Sequence, residues 1–134
     1  MTKKALSIFL ALLIFAIIPL SAGAETAVQP RYLHVTNHST ILTISNDVAS
    51  ISSCVNGDGQ VLSIKMTLVL QKKTLWWWND VTEFSDITPS NSLVMTETYS
   101  VGGGTYRVKM TARVCYGSGS AYEDIEGYSA EKSN

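Results

Sequence analysis

The chain has 134 residues, 46% of them hydrophobic, with ten basic and eleven acidic side chains for a net charge of −1. That length suits one domain built around a single core. The near-neutral balance excludes the dense basic footprint that nucleic acid demands.

The chain opens with Lys3 and Lys4, followed by an apolar run over 5–20 broken only by Ser7 and Pro19. Pro19 ends helical continuation, and Ala22-Gly23-Ala24 supplies the small-x-small pattern of a signal-peptidase site, with Ala22 and Ala24 as its small residues. Residues 1–24 are therefore predicted to be a helical, cleavable signal peptide. The apolar run falls short of the roughly 20 residues a transmembrane helix needs. No cysteine lies near residue 24, and residues 129–134 are polar, so no lipid anchor or wall-sorting tail is expected. The expectation is a secreted protein with no stable membrane anchor after cleavage. Its mature charge is −3, from eight basic and eleven acidic side chains.

Residues 25–40 lack sustained periodicity and read as an irregular lead-in. Short β-type runs follow at 41–45, 48–55, 61–70, 75–84, 92–101, 105–116 and 121–129, separated by Gly, Asn, Asp and Ser. About seven such runs, with no helical period among them, predict an all-β antiparallel sandwich over 41–130 and a polar tail at 131–134.

In the run 61–70, Leu62, Ile64, Met66, Leu68 and Leu70 form a wholly apolar alternate set that should face the core. A turn at Gln71-Lys72-Lys73-Thr74 would set Leu68 opposite Trp77, Thr67 opposite Trp78 and Lys65 opposite Asp80. Trp77 and Val81 would then point inward, and Trp76, Trp78 and Asp80 outward. In the run 105–116, Tyr106, Val108, Met110, Ala112 and Val114 make the apolar face, and Arg107, Lys109, Thr111 and Arg113 the polar one. Pairing back across Gly117-Ser118-Gly119-Ser120 places Asp124 opposite Arg113 and Glu126 opposite Thr111.

The stretch Gly103-Gly104-Thr105-Tyr106-Arg107-Val108 resembles the start of the penultimate strand of immunoglobulin-like and fibronectin-like domains. Together with the leader, Ser52-Ser53-Cys54, the Leu70-Gln71-Lys72-Lys73 hairpin and the tryptophan strand, it is similar to small secreted proteins of Gram-positive gut bacteria, a family without an assigned activity. The resemblance implies an immunoglobulin-like sandwich and a bacterial origin, and it carries over no site residue. Arg113 stands where the antibody-type pattern has a tyrosine two residues before the second cysteine. An even cysteine count in an oxidising compartment favours a Cys54–Cys115 disulfide. Strand parity opposes it, because Cys54 alternates against Ala49, Ile51 and Val55, and Cys115 against Tyr106. A bridge across the core would need bulges in both strands.

His34 and His38 have the spacing of metal ligands on a helix, but no helix fits there, and they read as solvated loop residues. No metal or cofactor is expected. No nucleophile elbow marks a serine, Glu123 and Asp124 point to opposite faces, and Gly102-Gly103-Gly104 joins two strands without opening a helix. An enzyme is therefore not expected. Trp76-Trp77-Trp78 is the most informative feature of the mature chain, since three successive strand side chains cannot all enter one core. Either Trp76 and Trp78 form a stacking platform, or a loop, the lead-in or a second copy covers them. Lys65, Arg107, Lys109 and Arg113 would share their face, either to hold an anionic polymer or to pair with Asp80, Asp124 and Glu126. The expected function is a non-catalytic binding or adhesion module. Its binding residues would be Trp76, Trp78, Lys65, Arg107 and Lys109, and its partner a glycan, a cell-envelope polymer or a host protein. The alternative is a membrane-active, toxin-like effector, for which no amphipathic helix or long apolar hairpin speaks.

Overall fold

The computed structural model describes residues 32–134; the predicted signal peptide, with Ala22 and Ala24, and the first part of the lead-in lie outside the described residues. The strands are β1 Val35–Ser45, β2 Val48–Gly57, β3 Val61–Lys73, β4 Trp78–Thr88, β5 Ser92–Ser100, β6 Thr105–Tyr116, β7 Ala121–Tyr128 and a short β8, Lys132–Ser133. One sheet has the order β1-β2-β5 and the other β4-β3-β6-β7, with β8 beside β6. All pairings are antiparallel. Seven main strands in two such sheets make the expected immunoglobulin-like sandwich.

The inner faces follow the alternation in the sequence. Leu42, Ala49, Ile51, Val55, Leu93 and Met95 from the first sheet meet Ile64, Met66, Leu68, Leu70, Val108, Met110, Val114 and Ile125 from the second, all buried. The β6 face is as predicted, and so is the β6–β7 register, with Arg113 opposite Asp124 and Thr111 opposite Glu126. Tyr106 is buried at the start of β6, and its hydroxyl donates to the Gly102 carbonyl at 3.0 Å. This is the tyrosine corner of immunoglobulin-like domains, tying the β5–β6 loop to the core.

Four expectations are corrected. The lead-in gives residues 35–40 to β1, where His38 and Thr40 hold the inward parity. The buried Ser53 of β2 bonds to Thr40 Oγ1 at 2.9 Å and donates to the Ser39 carbonyl at 2.9 Å. Polar residues on the inner side thus hide the two-residue period of that strand. The polar tail is corrected too: Lys132 and Ser133 pair with Tyr106 and Thr105 as β8. Leu62 leaves the core, 47% exposed, while Val61 enters it at 5%. The β3–β6 ladder skips Leu62 between Val61 and Ser63, and a bulge of this kind reverses parity.

The largest correction concerns the β3–β4 hairpin. Lys72 and Lys73 stay in the ladder opposite Asn79 and Trp78, so Leu68 faces Phe84, Thr67 faces Ser85 and Lys65 faces Ile87. The predicted partners Trp77, Trp78 and Asp80 lie further along. A bulge opposite Leu70 and Gln71 leaves Val81 unpaired and partly exposed, so it does not point inward.

The β1–β2 turn, β3–β4 turn and β5–β6 loop gather at one end of the sandwich with β8. Asn46 and Asp47, with φ of 52° and 61°, form the tight turn between β1 and β2, as a two-residue hairpin requires. Asn134 then closes this end by donating to Asp47 Oδ1 at 2.8 Å and to the Gly102 carbonyl at 3.0 Å. Removing the tyrosine-corner hydroxyl in Tyr106→Phe should cost about 1 kcal/mol in urea unfolding, against about 2–5 kcal/mol for Leu68→Ala in the core.

Candidate functional site

The β3–β4 turn is closed by Thr74. Its backbone N–H and its hydroxyl both donate to the Trp77 carbonyl, each at 2.8 Å, and the hydroxyl accepts from the Trp77 N–H at 3.3 Å. Leu75, Trp76 and Trp77 then project from the tip, 92%, 85% and 60% exposed. Trp77 is therefore not the inward tryptophan: because Lys72 and Lys73 remain paired, the chain reverses over 74–77 and Trp77 belongs to the turn. Its indole N–H donates to Asn79 Oδ1 at 2.8 Å, which fixes the ring against the hairpin.

Trp78 begins β4 and takes the predicted outer face, half-buried. The Arg107 guanidinium covers it, with Cζ 4.3 Å from the Trp78 ring centre and 4.4 Å from that of Tyr128. Gln71 anchors the arrangement from β3. Its Oε1 accepts from Arg107 Nε at 2.9 Å and its Nε2 donates to Asp80 Oδ1 at 2.9 Å. Asp80 thus bonds to Gln71, and the expected pair with Lys65 does not form. On the far side, Tyr128 donates to Glu126 Oε1 at 2.6 Å, which raises its pKa above the usual tyrosine value, with burial adding to the effect.

The rest of this face is also internally paired. Arg113 forks onto Asp124, Nε to Oδ1 at 2.8 Å and Nη2 to Oδ2 at 3.0 Å, and lies 4.0 Å over the Tyr122 ring. The same hydrogen bonds hold Asp124 below the ordinary carboxylate pKa and Arg113 above its own usual value. Lys109 comes within 4.0 Å of Glu126. Lys65 has no carboxylate partner among the described residues, and it sits opposite Arg113. An open depression of about 490 Å³ covers this half of the face, lined by Tyr32, Lys65, Thr67, Arg113, Asp124 and Glu126 among others. Of the predicted binding residues, the structure groups Trp78 with Arg107, sets Lys109 beside Glu126, leaves Lys65 towards the other end of the face, and sends Trp76 into the turn.

The remaining candidates hold the lead-in. His34 is no solvated loop residue: its Nδ1 lies 2.9 Å from Asp58 Oδ2, and its ring rests 4.1 Å from that of Tyr116. That contact and the Gln60 N–H lower the pKa of Asp58. His38 is on β1, its ring 6.0 Å from that of Tyr32. Glu123, whose partners are all backbone donors and so leave no trace in the sequence, accepts from the N–H groups of Leu33, His34 and Val35 at 3.0, 2.9 and 3.1 Å. Cys54 and Cys115 are unbridged, at the outward positions that parity gave them, on different sheets. Among the described residues, no three of His, Cys, Asp and Glu gather as metal ligands.

No protein-family model and no curated protein matches the chain. Among solved structures it is similar to wild-type OgpA from Akkermansia muciniphila, with a TM-score of 0.38 and 9% identity over 82% of this chain and 33% of that one. A catalytically inactive OgpA in complex with an O-glycopeptide substrate, glycodrosocin, gives a TM-score of 0.36 and 9% identity over 82% of this chain and 34% of that one. The chain thus spans about a third of the length of OgpA. A likeness this distant bears on neither activity nor ligand.

Two predictions follow from the geometry. Trp78→Ala should lower stability in chemical denaturation by about 1–2 kcal/mol through the lost Arg107 stack, while Trp76→Ala should stay within about 0.5 kcal/mol of wild type. Asp58 and Asp124 have folded pKa values below 3.8. Their contribution is present at neutral pH and is lost as pH falls through those lowered values. Replacing both with Asn should therefore flatten the fall of stability between about pH 5 and pH 2.

Proposed function

We propose that this is a secreted bacterial immunoglobulin-like module that acts by non-catalytic binding, with the β3–β4 hairpin tip as its contact element. One observation carries the reading: Leu75, Trp76 and Trp77 are three consecutive large apolar side chains left in solvent at the end of a closed turn. Apolar surface of that kind opposes solubility, and a protein that retains it has a use for it. Aromatic anchors on a rigid support are also what binding surfaces concentrate. Thr74 and Asn79 already hold the tip in shape, so little conformational freedom remains to be lost on contact.

Secretion is supported by Lys3 and Lys4, the apolar run and the Ala22-Gly23-Ala24 pattern. A bacterial origin rests on the resemblance of the leader and the Gly-Thr-Tyr-Arg-Val strand. The non-catalytic part is supported by how the polar residues are used. His34 is held by Asp58 and Glu123 by three backbone N–H groups, while Arg113 is held by Asp124. The contact surface is the tip and not the sheet face, because Arg107 covers Trp78 and the other charges on the face are largely paired.

The test is retention on immobilised cell envelopes. Trp76→Ala/Trp77→Ala should unfold at the wild-type midpoint and lose most of its retention, whereas Arg107→Gln should lose stability first. Retention unchanged in the tryptophan double variant would contradict the proposal.

A further inference from the structure

Each sheet of a sandwich ends in two strands whose outer N–H and C=O groups have no ladder partner. Soluble proteins blunt such edges with charge, proline or bulges, because a bare edge pairs with another chain. Among the described residues, three of the four edges are blunted. β4 carries Asp80, Glu83 and Asp86 and is interrupted by the bulge at Val81. β7 carries Glu123, Asp124 and Glu126, and the lead-in is tied to it through Glu123. β5 has Glu97 at the inward parity of the buried Leu93 and Met95, a charge that an added strand would cover.

β1 is the exception. Among the described residues it pairs only with β2, and after a bulge at its start the ladder runs unbroken from Asn37 to Ser45. That stretch holds no lysine, arginine, acid, proline or glycine. Its middle, Ser39-Thr40-Ile41-Leu42-Thr43-Ile44, is rich in β-branched residues, as are segments that pair readily with copies of themselves. Ile41 stands outward at the centre, 57% exposed.

The stretch is also complementary to itself. Turned about a two-fold axis at Ile41, it sets Ile41 against its own counterpart, Ser39 opposite Thr43, Thr40 opposite Leu42 and His38 opposite Ile44. β-Branched residues then meet on the outer side, and no like charges face each other. The same operation on β4 or β7 would bring three acids of one copy against three of the other. A ladder of this length, about 30 Å, supplies about eight backbone hydrogen bonds, within the range of a standard interface. The area it buries is small, which sets the affinity in the micromolar range.

We propose that the outer edge of β1 pairs with the same edge of a second copy, antiparallel about Ile41, joining two three-stranded sheets into one of six strands. Glu97 then guards both ends of the enlarged sheet, so the assembly closes at two copies. The pairing goes beyond the binding reading and gives it a geometry. β1 ends at Ser45, beside the β3–β4 turn, so the two-fold axis points the two tips in opposite directions and one dimer bridges two surfaces.

Sedimentation equilibrium of the full chain between about 1 and 100 µM should show its mass rise from monomer to dimer. Over the same range, exchange of the β1 amides that face away from β2 should slow about tenfold, while exchange of the β5 amides stays constant. Ile41→Lys alters an exposed side chain, keeps the leader, and sets two lysines against each other at the axis. It should fold normally and weaken the dimer about tenfold or more. Thr98→Lys, exposed on β5, should leave the dimer intact. A wild-type monomer throughout, constant β1 exchange, or equal association in Ile41→Lys overturns the proposal. So does association that is lost in Trp76→Ala/Trp77→Ala and kept in Ile41→Lys, which would place the interface at the tip. Retention on envelopes is read separately: a monomer that is still retained through its tryptophans strikes the pairing alone.

Discussion

Arg107 is held between two rings, and the arrangement of the hairpin follows from it. A guanidinium stacks readily on aromatic faces. Here it lies 4.3 Å from Trp78 on β4 and 4.4 Å from Tyr128 on β7, while Gln71 on β3 receives its Nε–H. One side chain on β6 therefore contacts all three other main strands of its sheet. With Trp78 fixed on the outer face, the residues just before it can no longer be strand. Lys73 pairs with Trp78, Thr74 closes the turn, and Leu75, Trp76 and Trp77 are what is left to project. The bulge at Val81 absorbs the misfit between this outer arrangement and the inward packing of Phe84.

The same sheet thus presents two kinds of surface. Its broad outer face is a mosaic of cations and acids that largely satisfy one another, and each exposed pair contributes little to stability. Such a face is well hydrated and has few groups to offer a ligand. Its end carries the exposed rings of Trp76 and Trp77, the second held by its indole bond to Asn79. The exposed tryptophans and the basic stripe, adjacent in a simple reading of strand alternation, are divided between these surfaces. Only Trp78 and Arg107 meet, and they do so as a structural pair.

Period-two patterning made much of this legible. The inner face of β6, the Arg113–Asp124 register and the outward parity of both cysteines could be read because every second residue obeys one rule. Bulges are where the rule fails, since one extra residue reverses every side chain beyond it. That is why Leu62 and Val81 were assigned inward, whereas the β3–β4 register was misplaced, taking Trp77 with it, because Lys72 and Lys73 extend the ladder and the turn falls at 74–77. The start of β1 was hidden for another reason, because its inner positions are filled by His38, whose ring lies near that of Tyr32, and by Thr40, which bonds to Ser53. The role of Glu123 had no sequence signal at all, for its three donors are backbone N–H groups. The presence of a tryptophan site was legible in the sequence, but which tryptophans belong to it depended on a single Arg side chain.

The central claim is that Trp78 is structural while Trp76 and Trp77 face solvent. NMR of the three indole rings in the presence of a soluble gadolinium chelate reads this directly. The ring signals of Trp76 and Trp77 should broaden strongly and those of Trp78 only slightly, and Arg107→Gln should expose Trp78 to the chelate. Comparable broadening of all three rings in the wild-type protein, or protection of Trp77 in place of Trp78, would contradict the account.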